Sequence, residues 1–332
     1  MNILYELDSN FAPQVSASIA SVCENNQSLP DLNFYIFGLG LSDEVSSSLT
    51  ELCERYNRQV SIIPIDGFME TFGDFDTLGW TEVVMGRLLV ARFLPDDVDR
   101  ILYLDGDTIV LGSLEELESL VLDDDKVIGA VIEATVDRSR LGALGIEGEP
   151  YFNSGVLFID LEKWKSIGAE QLLIDYCRRH KNDIVAPDQD AINGALKGMI
   201  QPLLPCYNWC NSYVFYPYRV LKKLMGDIAY YEQDAFKTAV EHPVIVHYLG
   251  EERPWRAGNT HKYCDEYQRY LSKTVYADTP EELGWETYFR AWSFFNATMR
   301  VAPMLRYRII TALIPKMMAW RKKARTKKAE ES

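Results

Sequence analysis

The fold is decided by the stretch RILYLDGDTIV, residues 100–110. Its first five residues, Arg100 to Leu104, are mostly apolar and predict a buried β-strand. Asp105 and Asp107 follow directly, and in an extended segment the side chains of residues i and i+2 point the same way. Both carboxylates can therefore converge on one divalent cation, which prefers oxygen ligands. An acidic turn that merely ends a strand has the same spacing, so the surrounding sequence must decide.

Strand-like and helix-like runs alternate on the N-terminal side of this stretch. We predict strands at 3–7, 33–37 and 59–65, and helices at 12–24, 42–56 and 81–93. This βαβαβαβ order predicts the α/β class, with a largely parallel sheet and helices on both faces. Ligands bind at the carboxyl ends of the strands in such sheets. That edge would carry Asp8-Ser9-Asn10 as well as the Asp105–Asp107 pair.

The C-terminal half continues the pattern less regularly. We predict strands at 127–132, 156–161 and 244–247, and helices at 171–180 and 189–197. Residues 200–240 are rich in Tyr, Pro and Asn and predict an irregular segment.

The formal net charge of −15 is unevenly placed. Residues 300–332 hold ten Lys and Arg against two Glu, a charge of +8, which leaves residues 1–299 at −23. The acidic body excludes general nucleic-acid binding. The chain opens without a signal-peptide pattern, and no apolar run of about 18 residues occurs. We therefore expect a cytoplasmic protein without a membrane-spanning segment.

A second group of candidate residues lies in HPVIVHYLGEERPW, residues 242–255. His247 ends an apolar strand, and its imidazole could be the third ligand of a metal held by the two aspartates. Gly250 would let the backbone approach a phosphate, and Arg253 could pair with that phosphate. A single His after a strand is more often structural, so the downstream Gly and Arg are what favour a site.

Two further motifs allow both structural and functional interpretations. The stretch YFNSG, residues 151–155, precedes the strand at 156–161, and PDQD, residues 187–190, opens a helix. On spacing alone Asp188 could be a helix N-cap, and Gln189 a solvated residue of the first turn.

The apolar strand followed by Asp105 and Asp107 also permits a rival enzyme class. Haloacid-dehalogenase-type phosphatases have such a pair, the first Asp being the nucleophile. Their pattern places Thr two residues after the second Asp, where this chain has Ile109. Their strand is also usually the first in the chain, whereas this one is the fourth.

Taken together, the motifs resemble those of the family 8 retaining glycosyltransferases, which include bacterial lipopolysaccharide galactosyl- and glucosyltransferases and glycogenin. The matching stretches, in order, are residues 8–10, 100–114, 151–164, 188–198 and 247–255. The resemblance implies a GT-A fold with a Rossmann-like sheet. It also implies transfer of a hexose from UDP-glucose or UDP-galactose to a cell-surface glycan, glycolipid or glycoprotein. A non-catalytic nucleotide-sugar binder or membrane scaffold on the same fold is the alternative.

The resemblance also implies a role for each site residue. Asp105, Asp107 and His247 would hold Mn²⁺, or Mg²⁺ in its place. In the donor site, the uridine would be contacted by Asp8, Asn10 and Phe11, and the diphosphate by Gly250 and Arg253. The sugar would be surrounded by Arg87, Glu133, Asn153, Asp188 and Gln189. Gly106 and Ser154 lie within the same motifs and would also belong to the donor site. Asp188 and Gln189 are the expected catalytic residues. A neutral amide is a poor nucleophile, which favours same-face attack, with Gln189 orienting the sugar.

Departures from the family pattern leave the substrates open. Glu133 stands where Asp is usual, so the family pattern does not decide between glucose and galactose, and Arg253 replaces the usual Lys. The aromatic residues of 200–240 either stack on acceptor sugars or cover the core. They are Tyr207, Trp209, Tyr213, Phe215, Tyr216 and Tyr218.

The chain ends in an aromatic and basic segment, which we separate as residues 276–332 from a catalytic domain at 1–275. Six side chains fall on one face of a helix, namely Trp285, Tyr288, Phe289, Trp292, Phe295 and Met299. Pro303 and Pro315 interrupt the run. A basic cluster follows, consisting of Lys316, Arg321, Lys322, Lys323, Arg325, Lys327 and Lys328. We expect it to bind the anionic inner face of the cytoplasmic membrane; the aromatic face could instead pack on the catalytic domain.

Overall fold

The structure, a computed structural model, describes residues 1–314 and Lys316. The strands are β1 (Asn2–Asp8), β2 (Asn33–Leu39), β3 (Gln59–Pro64), β4 (Arg100–Leu104), β5 (Thr108–Val110), β6 (Ile128–Ile132), β7 (Phe152–Asp160), β8 (Ile200–Leu203) and β9 (Ile245–His247). The α-helices are α1 (Ala12–Asn25), α2 (Asp43–Arg55), α3 (Val90–Phe93), α4 (Glu115–Glu118), α5 (Leu161–Ser166), α6 (Ala169–His180), α7 (Pro187–Ala195), α8 (Ser212–Phe215), α9 (Tyr218–Met225), α10 (Gln233–Glu241), α11 (Cys264–Leu271) and α12 (Glu286–Met299). Short 3-10 helices occur at Ser9–Phe11, Phe68–Phe72, Glu82–Leu89, Arg138–Arg140 and Pro205–Asn208. Residues 303–314 are also helical.

Within residues 1–314, seven strands form one sheet in the order β3-β2-β1-β4-β7-β6-β8. The first four strands of that order are parallel to one another. β7 runs antiparallel to β4 and β6, and β8 pairs with β6 in parallel. The predicted α/β class with a largely parallel sheet is confirmed, and β7 is the one reversed strand among the seven strands of this sheet.

The central strands of the sheet are buried on both faces. In β4, Ile101 and Tyr103 point into one hydrophobic cluster, and Leu102 and Leu104 point into the other. Successive side chains of a strand alternate between faces, so an almost uninterrupted apolar run is what a doubly covered strand requires. The Asp105–Asp107 turn lies at the carboxyl end of this central strand.

A small two-stranded sheet brings the second motif to the same place. β5 and β9 pair in antiparallel fashion, with Thr108 opposite His247 and Val110 opposite Ile245. Residues 242–255, far along the chain, are thereby placed directly beside the Asp105–Asp107 turn.

The prediction of an irregular segment at 200–240 was wrong. The segment contains β8 and the helices α8, α9 and α10. In α9, Val220, Leu221 and Met225 are buried, which is the spacing of a short amphipathic helix hidden among Tyr and Pro residues. Among the candidate rings, Tyr207, Trp209 and Tyr216 are buried in the protein.

The predicted helix at 81–93 is mainly a 3-10 helix, followed by one turn of α-helix. The backbone N–H of Arg87 donates to Glu6 Oε2 at 2.9 Å, so this donor is used outside the helix. An α-helix would direct that N–H to the carbonyl four residues earlier.

The predicted helical C-terminal region is present as α12 and residues 303–314. Pro315 and the basic residues Arg321, Lys322, Lys323, Arg325, Lys327 and Lys328 lie outside the described residues. Among the described residues, no helix combines the length and the apolar character that crossing a membrane requires.

Candidate active site

Three side chains converge at the end of the central strand and could hold a metal ion. Ligand atoms of Asp105, Asp107 and His247 all lie within 4.8 Å of one another. His247 Nε2 is 3.5 Å from Asp105 Oδ2 and 3.2 Å from Asp107 Oδ1. Two carboxylates and one imidazole form a donor set that suits a divalent transition metal. The two motifs therefore meet at the position where the sequence predicts a metal site.

The imidazole of His247 is oriented from behind by an asparagine that sequence analysis missed. Asn208 Oδ1 lies 3.0 Å from His247 Nδ1, so Nε2 faces the two carboxylates. Asn208 Nδ2 donates to Asn153 Oδ1 at 2.8 Å, and that oxygen also accepts the N–H of Gly155 at 3.0 Å. A partner on the second ring nitrogen fixes the ring orientation of a metal-ligating histidine. Asn153, expected at the donor sugar, also anchors this chain of contacts.

Gly155 is a second residue that sequence analysis did not select. A β-carbon at Gly155 would lie 2.1 Å from His247 Cε1 and 2.7 Å from Asp105 Oδ2. Its carbonyl accepts the N–H of Asp105 at 2.8 Å. Only glycine leaves room for both ligands at this point of β7.

Charge within the cluster shifts the pKa values of its members. Burial alone would raise the pKa of Asp107, but His247 and Arg253 outweigh burial and lower it. Burial would likewise lower the pKa of His247, yet Asp107 and Asp105 raise it. The negative charge of the two carboxylates therefore attracts a positive charge to this position.

Arg87 lies beside the Asp105, Asp107 and His247 cluster, where it is buried and contacts several carboxylates. Its Nη2 is 2.9 Å from Asp105 Oδ1, and its Nη1 is 3.1 Å from Asp188 Oδ2. Nε donates to Glu6 Oε1 at 2.7 Å, and the guanidinium lies 4.2 Å from the centre of the Tyr103 ring. Glu6 is 5% exposed, and burial raises the pKa of Glu6 to about 7. Arg87 thus connects Asp105, a candidate metal ligand, to Asp188, which is expected at the sugar.

The residues expected at the sugar lie at the start of α7. Ser154 Oγ donates to Asp188 Oδ2 at 2.7 Å, and Ser154 N–H donates to Gln189 Oε1 at 3.1 Å. Burial raises the pKa of Asp188, although Arg87 and Ser154 oppose that rise. The structure therefore brings Asp188, Gln189, Ser154 and Arg87 together.

Asp190 holds this turn in place and was not selected from the sequence. It is fully buried and accepts the N–H groups of Val185 and Ala186 at 2.8 and 2.9 Å. Both of its oxygens lie 2.8 Å from Arg140 Nη1. A fully buried carboxylate persists only when it is paired and hydrogen-bonded in this way.

The residues expected at the uridine lie at the end of β1. Asp8 Oδ1 accepts the N–H of Asn10 at 2.9 Å, and Asn10 is exposed. Phe11 meets Trp255 edge to face, with ring centres 5.8 Å apart. A β-carbon at Gly106 would come within 2.8 Å of the Phe11 ring, so Gly106 makes room for that ring.

The residues expected at the diphosphate lie on the loop after β9. Gly250 has φ +77°, a left-handed conformation that favours glycine. Arg253 Nη2 is 3.4 Å from Asp107 Oδ2, and the guanidinium lies 5.5 Å from the Trp255 ring centre. Within the described residues, Arg253 Nε is buried without a hydrogen-bond partner.

Glu133 lies just beyond β6. Its N–H donates to Tyr151 O at 2.7 Å, and Glu133 Oε1 accepts the N–H of Thr135 at 3.3 Å. It lines a cavity whose wall also includes Asn153, Asn208, Cys210, Ser212 and Tyr213. This cavity adjoins the Asn208–His247 contact.

Comparisons with known proteins identify the family. The model for glycosyl transferase family 8 matches residues 2–258. General stress protein A of Bacillus subtilis is 26% identical over 278 residues, covering 82% of this chain and 94% of that protein. A lipopolysaccharide 1,2-glucosyltransferase of Escherichia coli is 27% identical over 283 residues, covering 84% and 79%.

A solved structure shows the same fold. The galactosyltransferase LgtC, solved with donor and acceptor sugar analogs, superposes with a TM-score of 0.69 at 22% identity. The match covers 86% of this chain and 99% of that one. The GT-A fold expected from the resemblance is thereby confirmed. Because the family model covers more than half of its length, the chain belongs to glycosyl transferase family 8.

Proposed function

We propose that this family 8 glycosyltransferase is metal-dependent and retaining. It would move a hexose from UDP-glucose or UDP-galactose to a cell-surface glycan, glycolipid or glycoprotein. The observation that carries the proposal is the position of Arg253 beside the Asp105, Asp107 and His247 cluster. Its buried Nε, without a partner in the part of the chain that the structure describes, is available to an anionic ligand.

The leaving group explains why this geometry suits the reaction. Breaking the bond from the anomeric carbon to UDP places negative charge on the diphosphate. Mn²⁺, or Mg²⁺, held by Asp105, Asp107 and His247 would supply positive charge there. Arg253 would add N–H donors, and the backbone at Gly250 would allow close approach. Asp8, Asn10, Phe11 and Gly106 would form the uridine side.

The sugar side supports same-face attack. Gln189 carries a neutral amide, and its oxygen already accepts the N–H of Ser154 at 3.1 Å. Asp188 Oδ2 is held by Ser154 Oγ and Arg87 Nη1. Neither side chain is thus prepared as a nucleophile. The acceptor oxygen would bond the anomeric carbon as the carbon–UDP bond breaks, and the acceptor's proton would pass to the leaving UDP oxygen.

Assignment of the hexose is based on the relatives and on pocket chemistry. Relatives named as lipopolysaccharide glucosyl- and galactosyltransferases support a hexose donor and a surface-glycan acceptor. Arg87, Glu133 and Asn153 would contact the sugar together with Asp188 and Gln189. Glu133 in place of the usual Asp is the residue through which the hexose would be selected.

A UDP-release assay over a panel of UDP-sugars tests the proposal. We expect release that requires Mn²⁺ or Mg²⁺ and rises with an acceptor, and we expect its loss in Asp107→Ala. Full activity of Asp107→Ala with the metal chelated would contradict the proposal. Donor binding without turnover on any acceptor would favour the non-catalytic alternative.

We also propose that residues 276–332 bring the catalytic domain, residues 1–275, to an anionic membrane surface on its cytoplasmic side. The support is the +8 charge of residues 300–332, together with exposed apolar groups among the described residues. Val301 is 91% exposed and Leu305 is 49% exposed. Leu305 lies beside a cleft that Arg219 and Lys223 also line. Apolar and cationic groups on one surface suit an interfacial position.

A further inference from the structure

The loop at residues 250–256 carries the proposed diphosphate contacts, Gly250 and Arg253. It consists of turns and a single bridge rather than a helix or a strand. Its own short-range backbone contacts include Arg253 N–H to Glu251 O at 2.8 Å and Arg256 N–H to Arg253 O at 3.1 Å. Contacts with residues outside the loop therefore contribute to holding it beside Asp105, Asp107 and His247.

The first external contact is made by Arg256 at the end of the loop. Within the loop, Arg256 Nη1 donates to Glu251 O at 3.1 Å. Outside the loop, Arg256 Nε is 3.0 Å from Glu282 Oε2. Its guanidinium lies 3.8 Å from the centre of the Trp285 ring, where a cation–π interaction is favourable. The N–H of Glu282 donates to Trp255 O at 2.8 Å. Residues 282–285 are thus joined to the loop by charge, ring and backbone contacts.

The backbone after the loop also touches the start of α12. Gly258 has φ +80°, and a β-carbon there would lie 2.9 Å from the Cα of Glu286. The two backbones approach so closely that only glycine fits between them.

The second external contact centres on Arg306. This arginine is only 5% exposed, although it lies in the basic part of the chain. Its guanidinium lies 3.9 Å from the Phe215 ring centre and 5.3 Å from that of Trp292. Nη1 donates to the Tyr216 hydroxyl at 2.6 Å, and Nε donates to Asn296 Oδ1 at 3.0 Å. Arg306 therefore binds α8, α12 and the helix at 303–314 into one cluster.

The cluster reaches the loop through α12. Arg306 contacts Trp292 and Asn296 in the middle of that helix, and the Trp285 ring at its start lies 3.8 Å from the guanidinium of Arg256. A shift of α12 would therefore carry Arg256 with it, and with Arg256 the loop that contains Arg253. The loop is consequently held at Arg256, on the C-terminal side of Arg253.

We propose that residues 282–307 form a brace that positions the loop at 250–256, with Arg256 and Arg306 as positioning residues for the donor diphosphate. The inference rests on the proposed function, because it assigns Gly250 and Arg253 to the diphosphate. The stripe of Trp285, Trp292 and Phe295 thus packs on the catalytic domain through two arginines. Arg306 is the one member of this contact that comes from residues 300–332, and through it the basic end of the chain supports the donor site.

Arg306→Met tests the brace, because Met fills space but has neither charge nor a planar donor group. We expect UDP affinity in the presence of Mn²⁺ to fall about tenfold, with a matching rise in the donor KM. We expect kcat at saturating donor to change less than the donor KM, because the variant weakens donor binding and leaves the reacting groups in place. Arg308→Met, an exposed arginine of the same helix, is the matched control.

A second variant covers the case in which Arg306→Met does not fold. Arg256→Met removes the positive charge that faces Glu282 and the Trp285 ring while leaving the Arg306 cluster intact, and it should weaken UDP binding in the same direction. Unchanged UDP affinity and donor KM in folded Arg306→Met, or in Arg256→Met should Arg306→Met not fold, would overturn the brace. If the unaltered protein binds no UDP with Mn²⁺, the proposed function itself fails, which is a separate result.

Discussion

Gly155 decides whether His247 and Asp105 can approach each other. In Gly155→Ala the new methyl group would overlap His247, 2.1 Å from its Cε1, and must push the ring away from the carboxylates. We expect Mn²⁺ affinity to fall by roughly 10- to 100-fold, the usual effect of disturbing the support of a metal ligand. Isothermal titration with Mn²⁺ measures it.

Gly142→Ala is the control for that substitution. A β-carbon at Gly142 would meet Glu147 Oε2 at 3.6 Å, an ordinary contact distance. Equal Mn²⁺ affinity in the two variants would show that Gly155 does not define the site.

Glu6 gives a pH-dependent prediction. Burial raises the pKa of Glu6 to about 7, above the 4.5 of an exposed glutamate. Between these values the folded chain binds more protons than the unfolded one, so stability falls as pH rises from about 4.5 to 7. We expect ionisation of Glu6 to lower the free energy of unfolding by up to about 3 kcal/mol between pH 4.5 and 8. This decrease should be absent in Glu6→Gln.

Urea unfolding of both proteins across that pH range measures the difference. The substitution also alters the contact with Arg87, which changes the free energy of unfolding by a constant amount. That constant cancels, because only the change of the free energy with pH is compared. Parallel stability curves would show that Glu6 does not titrate in this range.

At the level of single residues, sequence patterns located the candidate metal ligands but not the residues that support them. Asp105 and Asp107 stood out because they directly follow an apolar strand, and His247 because it ends one. Glu6 had one signal, a charge inside the apolar run of β1, and Asn208 had none, since it lies among Tyr and Pro residues. The partners of both come from distant parts of the chain, which local patterns do not reveal.

Among the elements, those with long periodic patterns were predicted well and those shaped by tertiary contacts were not. The predicted bounds of α1 and β4 agree with the observed ones to within one residue, because each element has a simple apolar pattern. The 3-10 helix at Glu82–Leu89 was taken for an α-helix, because the carboxylate that takes the Arg87 N–H lies in β1. The pairing of β5 with β9 joins segments far apart in sequence, so the site's geometry needed the structure.

α7 presents Asp188 and Gln189 only if its first turn is held. In Asp190→Asn, the new amide cannot accept from Val185, Ala186 and Arg140 as the carboxylate does. We expect a stability loss of about 3–5 kcal/mol, as for other broken buried ion pairs, together with reduced UDP release. Chemical unfolding and the release assay measure the two effects.

The exposed Asp124 provides the control, as Asp124→Asn removes one negative charge without touching α7. A stable Asp190→Asn with unchanged activity would show that α7 needs no such anchor.

For the whole molecule, a metal ion bound at the proposed Asp105, Asp107 and His247 site would add to the free energy of unfolding. A ligand that binds only the folded chain stabilises it by about 2.7 kcal/mol at a hundredfold excess over its Kd. We expect saturating Mn²⁺ to raise the melting temperature by roughly 5 °C, and chelation to reverse the rise. Asp107→Asn should show no such rise; an equal shift in that variant would place the stabilising ion elsewhere.

The same acidic body would be repelled by an anionic membrane, so any adsorption must come from the basic end. Each Lys or Arg near such a surface contributes about 1 kcal/mol. Replacing Lys323, Lys327 and Lys328 by Gln should therefore weaken binding to phosphatidylglycerol vesicles by roughly 100-fold. Flotation at low salt measures it, and binding should weaken as salt screens the charges.

The matched control removes three positive charges from the body, by replacing the surface residues Lys181, Lys197 and Lys237 with Gln. Both triple variants have the same net charge, so a general charge effect would weaken flotation equally. If the tail supplies the contact, only the first variant loses binding, while donor turnover in solution stays equal in both, because the brace at 282–307 is intact. Equal flotation of the two variants would contradict a docking role for the basic tail and leave residues 282–307 to act on the donor loop alone.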